Sequence, residues 1–536
     1  LDDSGRLLTV SRFVLMRTMI LAQAFHLTQD ARFAKRASRE LLNAIRFRDW
    51  GPEHLIDCAE MCTALSIGYD WLYDQLAPSD RKAIRMALRD KGLLAMPDDH
   101  WCWTRGDNWN LVCCAGATLA ALVLKETEPE LAERTLCRTT SALTHGMSAY
   151  APDGVSYEGV SYWSYGATYN AIMFSALRTA RGDDPRELVS SPFAKSATVR
   201  SYVEGPSGCW WNYADDFSRN RIDPALLWFA DVYESPDMAS SVWRQLECIE
   251  DFQRNLSMPF QAWLLPVALI WSVPESDAVE PYLPDVWQGQ GPVPLAILRS
   301  SDASGRSAYL GIKGGSASVN HAHMDIGSFV AELNGIRWAI DLGGEAYECI
   351  DSVFRDQGDS LWDMSQSSRR WSLLRYSNRY HNTLTIGDKN QDVAGRAEFI
   401  SVGAHSRRSA TLDLTPVYSG QAERVIRSVS VFDPGRIVFC DTLTGVIPGT
   451  PVTFTWMTDA RIHQESNHRL RLTKQNDSAS LLIKNTPDLS LTVSTLDSDR
   501  QPFETPNPAV KVIRIVSTGN GTGTYRFEVE LISDPN

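Results

Sequence analysis

The sequence predicts an α+β chain of two parts, a helical half followed by an antiparallel sheet half. Apolar residues recur at helical spacing from about residue 7 to 255, as in Phe13, Met16, Met19, Ile20 and Ala24, and again in Cys58, Met61, Leu65, Tyr69 and Leu72. Beyond about residue 290 the period becomes two, with side chains alternating across a pleated strand. At 536 residues the chain exceeds what a single hydrophobic core sustains, so two domains are the natural division. These observations place a helical domain at 1–272, a Pro-rich linker at 273–292 and a sheet domain at 293–536.

Within the first part, Thr28-Gln29-Asp30 and Pro78-Ser79-Asp80 mark helix starts, and a helix is expected from Leu111 to Lys125. Aromatic residues gather on the segments between helices, at Trp101, Trp103, Trp109, Tyr157, Tyr162, Trp163, Tyr165, Trp210 and Trp211. Rings in such places suit a groove that stacks sugars, although core packing accounts for many of them. In the second part, Ser328–Leu333, Asn334-Gly335 and Ile336–Asp341 read as a hairpin, because Asn-Gly fits a two-residue primed turn. A second hairpin turns at Asp433-Pro434-Gly435, and later strands lie at 451–456 and 525–531. A β-sandwich-like domain follows.

Lys and Arg total 52 against 65 Asp and Glu, a formal net charge of -13. The surface as a whole repels polyanions, which excludes nucleic acid as the main partner and confines any anionic ligand to a local basic patch. Ten cysteines are too sparse for a disulfide scaffold and read as small buried hydrophobes. No run of about 18 apolar residues is found and no membrane partner is expected. The start, Leu1-Asp2-Asp3-Ser4-Gly5, lacks a signal-peptide pattern and a Met, so a processed or truncated N-terminus is expected.

Four constellations carry chemistry. In Gly106-Asp107-Asn108-Trp109-Asn110, amides stand at a helix start where the dipole favours a carboxylate, and helix capping is the alternative. Pro152–Gly166 holds Tyr157, Tyr162 and Tyr165, hydroxyls able to donate a proton or, beside a cation, to accept one. In Asn320-His321-Ala322-His323-Met324-Asp325, with Asp341 and His381, three histidines and two aspartates could ligate zinc while leaving one imidazole free. Arg369, Arg370, Arg375 and Arg379 come without an acidic residue among them, a candidate anion patch leading into His381.

These blocks together resemble the heparinase II/III-like polysaccharide lyases. The likeness runs through Asp49–Met61, Gly68–Tyr73, Asp107–Cys113, Tyr150–Gly154, His321–Asp325 and Tyr380–Thr383, in order along nearly the whole chain. The resemblance implies an incomplete (α/α) toroid followed by an antiparallel β-sandwich, with a cleft between them for uronic-acid polysaccharides. It implies Asn108 as the group neutralising the uronate carboxylate, with Tyr162 and His321 as catalytic residues. It also implies His323, Asp341 and His381 as ligands of a divalent, structural zinc. Arg105, Trp109, Tyr157, Glu158, Trp163, Arg375 and Arg379 are the expected substrate-binding residues. Trp109 stands where some members carry a histidine beside the asparagine. If His321 serves catalysis while His323 binds metal, a bend is required at 320–325, since residues two apart on a strand share a face.

The activity so implied is β-elimination on glycosaminoglycans such as hyaluronan, chondroitin or dermatan sulfate and heparin or heparan sulfate, giving 4,5-unsaturated uronate products. Alginate is the alternative substrate, and a uronate C5-epimerase of the dermatan sulfate type is the alternative enzyme. A glycoside hydrolase would need a carboxylate pair such as Asp153 and Glu158, and a non-catalytic glycan binder is the remaining class. A periplasmic or secreted location is expected, and an oligomer is possible.

Overall fold

The computed structural model describes residues 6–216, 222–247, 262–271, 281–404, 407–432, 435–519 and 521–534. Residues 1–5, 273–280 of the expected linker, and Asp433-Pro434 of the second hairpin turn lie outside these. The chain divides into two compact units: Leu1–Ala151, Tyr162–Thr198 and Arg221–Pro281, and Pro152–Ser161, Val199–Asn220 and Tyr282–Asn536.

The first unit is built of helices, α1 (Leu8–Thr28), α2 (Ala31–Ala44), α3 (Leu55–Trp71), α4 (Pro78–Ala87), α5 (Asn108–Leu124), α6 (Pro129–Ser148) and most of α7 (Val160–Arg181), with shorter helices after it. Asp30 caps α2 by accepting from the Arg32 N–H at 2.9 Å. α4 starts at Pro78 itself, whose fixed φ and missing N–H suit a first helical position, so the Ser79-Asp80 pair lies inside the helix. α5 begins three residues earlier than its apolar pattern, because Asp107 caps it through the Trp109 N–H at 3.1 Å. α3 and α5 are buried nearly all round. They pack so closely that a Cβ on Gly116 would stand 2.2 Å from the Ala59 carbonyl oxygen.

By length and composition α1 is a helix long and apolar enough to cross a membrane, which corrects the expectation that no such segment exists. Leu15, Met19 and Ala22 on it are fully buried in the helical core, and Arg12 within it pairs with Glu60 at 2.9 Å.

In the second unit the strands are β1 (Val286–Gly289), β2 (Leu295–Ser301), β3 (Ser307–Lys313), β4 (Phe329–Leu333), β5 (Ile336–Ala339), β6 (Leu384–Ile386), β7 (Glu398–Ala404), β8 (Arg408–Asp413), β9 (Arg424–Phe432), β10 (Arg436–Thr444), β11 (Val452–Thr458), β12 (Arg461–Ser466), β13 (Arg469–Lys474), β14 (Asp477–Lys484), β15 (Leu489–Thr495), β16 (Lys511–Ser517) and β17 (Tyr525–Ser533). They form a five-stranded sheet in sequence order β1 to β5, an eight-stranded sheet ordered β12-β13-β14-β17-β10-β9-β8-β7, and a four-stranded sheet ordered β15-β16-β11-β6. All pairings are antiparallel, as the alternating pattern implies.

The Asn334-Gly335 hairpin forms as predicted, with φ of 53° and 74° at the two turn residues and Leu333 facing Ile336. The sheets share a core in which Phe329 stacks on Phe439 at 4.1 Å and Trp456 meets both rings edge-on. β1 falls inside the stretch read as linker.

Two segments from the helical half of the sequence, 152–161 and 199–216, pack with the five-stranded sheet. Trp210, Trp211 and Tyr213 join Leu295, Ile297, Tyr309 and Val330 in one buried cluster. Arg299 reaches the Tyr202 and Glu204 carbonyls at 2.7 and 2.6 Å, and Glu332 accepts from Ser207 and Arg337. Trp210 and Trp211 are therefore core residues and not sugar platforms.

Candidate active site and metal centre

Between β3 and β4, residues 314–328 contain no strand. His321 there adopts φ of 62°, a left-handed backbone that a residue with a Cβ holds only when its surroundings enforce it. The enforcement is visible: its carbonyl accepts the Asp215 N–H at 3.1 Å, while its Nδ1 lies 3.0 Å from both Asp215 Oδ2 and the Tyr347 hydroxyl. This bend separates the two histidines. His321 Nε2 turns to Glu158, 3.4 Å away, which also accepts from Asn320 at 3.2 Å. Trp362, half-exposed, meets the His321 ring edge-on at 5.3 Å.

His323, fully buried, places Nε2 3.0 Å from Asp215 Oδ1. A carboxylate only accepts, so Nε2 carries the proton and Nδ1 keeps a bare lone pair, for which no hydrogen-bond partner exists. His381 is placed differently. Its Nε2 donates to the Arg375 carbonyl at 2.8 Å, and its Nδ1 lies 3.8 Å from Asp341 Oδ2 and 4.0 Å from Asp325 Oδ2. Asp341 Oδ1 is held by the Gly343 N–H at 2.8 Å, while Oδ2 has no hydrogen-bond partner. Asp325 faces Lys313 at 2.6 Å, a charge pairing without hydrogen-bond alignment.

His323, Asp325 and His381 thus form a possible metal-binding triad, their ligand atoms within 4.8 Å of one another. Asp341, read from the sequence as the carboxylate ligand, is not in this triad, although its Oδ2 lies 3.8 Å from His381 Nδ1, as near as Asp325 Oδ2 at 4.0 Å. β5 ends at Ala339, so Asp341 lies past the strand on which the hairpin register had put it. The bare His323 Nδ1, the His381 ring and carboxylate oxygens facing inward are the donor types taken by a divalent cation that accepts mixed nitrogen and oxygen ligands.

The electrostatics separate the two rings. Burial lowers His323 below the usual imidazole range despite its bond to Asp215, keeping the ring neutral. Burial would likewise lower His381, but the hydrogen bond and charge of Asp341 and then the charge of Asp325 hold it above that range. Asp341, although buried, is held down at about 2 chiefly by His381. Burial opposes ionisation of Asp215, and Arg370 with the two histidines holds it well below the usual carboxylate range.

The other residues picked from the sequence are spread over both units. In the first, Asn108 is buried as the opening residue of α5, and Trp109 lies in a row of rings running His54, Trp109, Trp101, with centroids 4.8 Å apart at each step. Arg105 is exposed, bonded to Asp107 and stacked over Trp101 at 5.1 Å. Tyr162, partly buried, stands on the first turn of α7. Asp216 caps that helix by accepting from the Val160 and Ser161 N–H groups at 2.6 and 3.0 Å. Trp163 is enclosed in the helical core with its indole N–H donated to Ser196 at 2.7 Å, so it offers no face to a sugar. Tyr157 in the second unit is partly buried.

The arginine run does not make an outward anion patch. Arg370 is fully buried, bonded to Asp215 at 3.1 Å and stacked over Tyr376 at 3.9 Å. Arg375 is buried against Glu345, the Leu342 carbonyl and Asn507, and Arg369 faces Asp359. Arg379, partly exposed, donates to the Asp388 carbonyl. The charges of Arg370 and Arg375 are spent inside the unit, on Asp215 and Glu345. Asp215, Tyr347 and Trp362 were missed by sequence reading, and only the acidic pair Asp215-Asp216 following a run of aromatics marks the place.

Residues 295–528 match the family model described as heparinase II/III-like, C-terminal. Among solved structures, the heparan sulfate lyase HepC mutant from Pedobacter heparinus aligns with a TM-score of 0.65 and 14% identity, covering 97% of this chain and 76% of that one. A structure of heparinase III gives 0.66 and 12% over the same shares, and the heparinase III BT4657 gene product gives 0.64 and 13% over 97% and 78%. At such identities the likeness shows the fold: an incomplete (α/α) toroid followed by an antiparallel β-sandwich. No curated protein sequence matches the chain.

Proposed function

We propose that this chain, whose residues 295–528 form a heparinase II/III-like C-terminal domain, is a polysaccharide lyase acting on uronic-acid-containing glycosaminoglycans. The observation that carries the reading is the setting of His321: a left-handed bend turns its ring away from His323, with Nδ1 at 3.0 Å from Asp215 and Nε2 at 3.4 Å from Glu158, which places an imidazole where it can move a proton.

The C5 proton of a uronate is a poor acid, because its loss places charge beside an existing carboxylate. Asn108 at the positive end of α5, aided by the exposed Arg105, neutralises that carboxylate. His321 or Tyr162 then takes the C5 proton, depending on the epimer, since glucuronate and iduronate present that hydrogen on opposite ring faces. The C5–H electron pair becomes the C4–C5 double bond as the C4–O4 bond breaks, and Tyr162 returns a proton to the departing oxygen. Trp109, Tyr157 and Glu158 bind the sugar in this reading.

His323, His381 and Asp341 would hold a zinc ion beside Asp325, and zinc there would brace the loop that carries His321. A periplasmic or secreted enzyme would meet such a polymer.

Purified protein mixed with heparan sulfate, chondroitin sulfate, hyaluronan and alginate is expected to raise ultraviolet absorbance from unsaturated uronate with at least one glycosaminoglycan. Tyr162→Phe should abolish the rise. Solvent deuterium incorporated without any rise would identify an epimerase instead, and a rise with alginate alone would shift the substrate class.

A further inference from the structure

Lys313, the last residue of β3, is 1% exposed, and a lysine is almost never enclosed to that degree without a partner. It closes the loop that carries the histidines: its N–H donates to the Ser328 carbonyl at 3.1 Å and its carbonyl accepts the Gly327 N–H at 3.0 Å. Within that loop its Nζ lies 2.6 Å from Asp325 Oδ1, and this carboxylate is fully buried as well. The charges match, but the geometry does not. Neither Asp325 oxygen has an aligned hydrogen bond, whereas Arg427 and Asp441 meet through two. Lys313 thus neutralises Asp325 while leaving the carboxylate's lone pairs unspent, and one of its oxygens stands within 4.8 Å of a ring nitrogen of both His323 and His381.

We infer that Lys313 sets the affinity of the metal centre: it is a tethered cation that competes with a metal ion for Asp325, stabilising the metal-free sheet unit and weakening metal binding. The inference rests on the metal reading above and is independent of the lyase reading. Charge placement carries it. Asp325 and Asp341 are both enclosed, at 4.0 and 3.8 Å from His381 Nδ1, while Asp215 behind His323 is already held by Arg370. Without Lys313, Asp325 would have no cationic group nearer than that imidazole among the described residues, and an uncompensated buried charge is strongly destabilising. With Lys313 in place, a divalent ion on Asp325 meets a like charge at the same carboxylate, and such repulsion is poorly screened in a buried site. One side chain therefore supports the metal-free fold and opposes the metal.

The test is Lys313→Met in the full chain, with zinc sulfate as the probe, read by zinc affinity in competition with a chelator and by Tm in zinc and in chelator. Methionine keeps an unbranched side chain and removes the charge. Zinc affinity is expected to rise at least about tenfold. Tm in chelator is expected to fall by about 5 °C or more, and zinc to restore it. The double variant Lys313→Met/Asp325→Asn is measured in parallel, because an amide needs no counter-charge. It should regain the Tm lost in chelator and lose the tightened zinc binding.

Zinc bound by the parent and no more tightly by Lys313→Met would overturn the inference and leave the metal reading standing. Zinc bound by neither protein would end both. Zinc bound by the variant and not by the parent would support the inference in its strongest form. An unchanged Tm in chelator would overturn it, since Lys313 would then not be what compensates Asp325. A double variant that binds zinc as tightly as Lys313→Met would show that Asp325 is not the contested ligand, with the same result. If Lys313→Met stays unfolded with zinc as well as without, Lys313 is a framework element and the inference falls.

Discussion

Two buried polar clusters in the sheet unit, close together along the chain, differ in one respect. Arg427 on β9 and Asp441 on β10 face each other across the ladder and are wholly enclosed. Their two nitrogen–oxygen contacts are 2.8 and 2.6 Å, and the remaining Arg427 donors go to the Gly327 and Asn382 carbonyls. The cluster of His323, Asp325, Asp341 and His381 is as deeply buried, yet His323 Nδ1, both Asp325 oxygens and Asp341 Oδ2 have no hydrogen-bond partner. Burial without satisfaction is costly, so folds tolerate it where something else completes the site. Saturation, and not burial or residue type, separates framework from function here.

The sharpest way to break the comparison is at the closed cluster. Arg427→Ala strands Asp441 as a lone charge in a core of Phe329, Phe439 and Phe454, and should cost about 3–5 kcal/mol. Urea unfolding of the sheet unit checks this. Replacing both partners by apolar residues should recover most of the loss, because no charge then needs desolvating. A single variant as stable as the parent would mean the cluster is not the framework element its geometry makes it.

At the open cluster stability should depend on a ligand. Zinc at about one hundred times its Kd should stabilise the protein by about 2.7 kcal/mol, seen as a rise in Tm that a chelator reverses. His381→Ala should abolish that rise. Asp341→Asn should weaken zinc more than Asp325→Asn does, since Asp325 is already faced by Lys313. An unchanged Tm in zinc would place this cluster with the closed one.

The same distinction explains what could be read in the sequence. The two halves, the Asn334-Gly335 hairpin and the histidine-rich loop were legible because each is a local pattern: a period, a turn chemistry, a spacing. The bend at His321 followed from requiring two neighbouring histidines to do different work. Asp215 was illegible, as it comes from a segment surrounded by helices and meets His321 only through the packing of 199–216 on the five-stranded sheet. Arg370 and Arg375 were legible as charges but not as to direction. Four arginines in sequence look like an anion patch until their carboxylate partners, Asp215 and Glu345, are placed by the fold. Trp163 and Trp211 show the same limit for rings, since a helix boundary or a linking segment does not say which face is covered.

The smallest effect expected is at the residue that joins the two clusters. Asn382 follows His381 directly, and its carbonyl accepts from Arg427. Its side chain donates to the Phe329 and Ile340 carbonyls at 2.7 and 2.8 Å and accepts the Met457 N–H at 2.6 Å. Asn382→Ala keeps the backbone link to Arg427 but leaves these three groups short of a partner, at a cost of about 1–3 kcal/mol. If the closed cluster is framework and the open one depends on zinc, the variant should lower the urea midpoint while keeping its zinc-induced rise in Tm. Loss of that rise would show that the framework sets the geometry of His381 through this one side chain, and the two clusters would have to be treated as one.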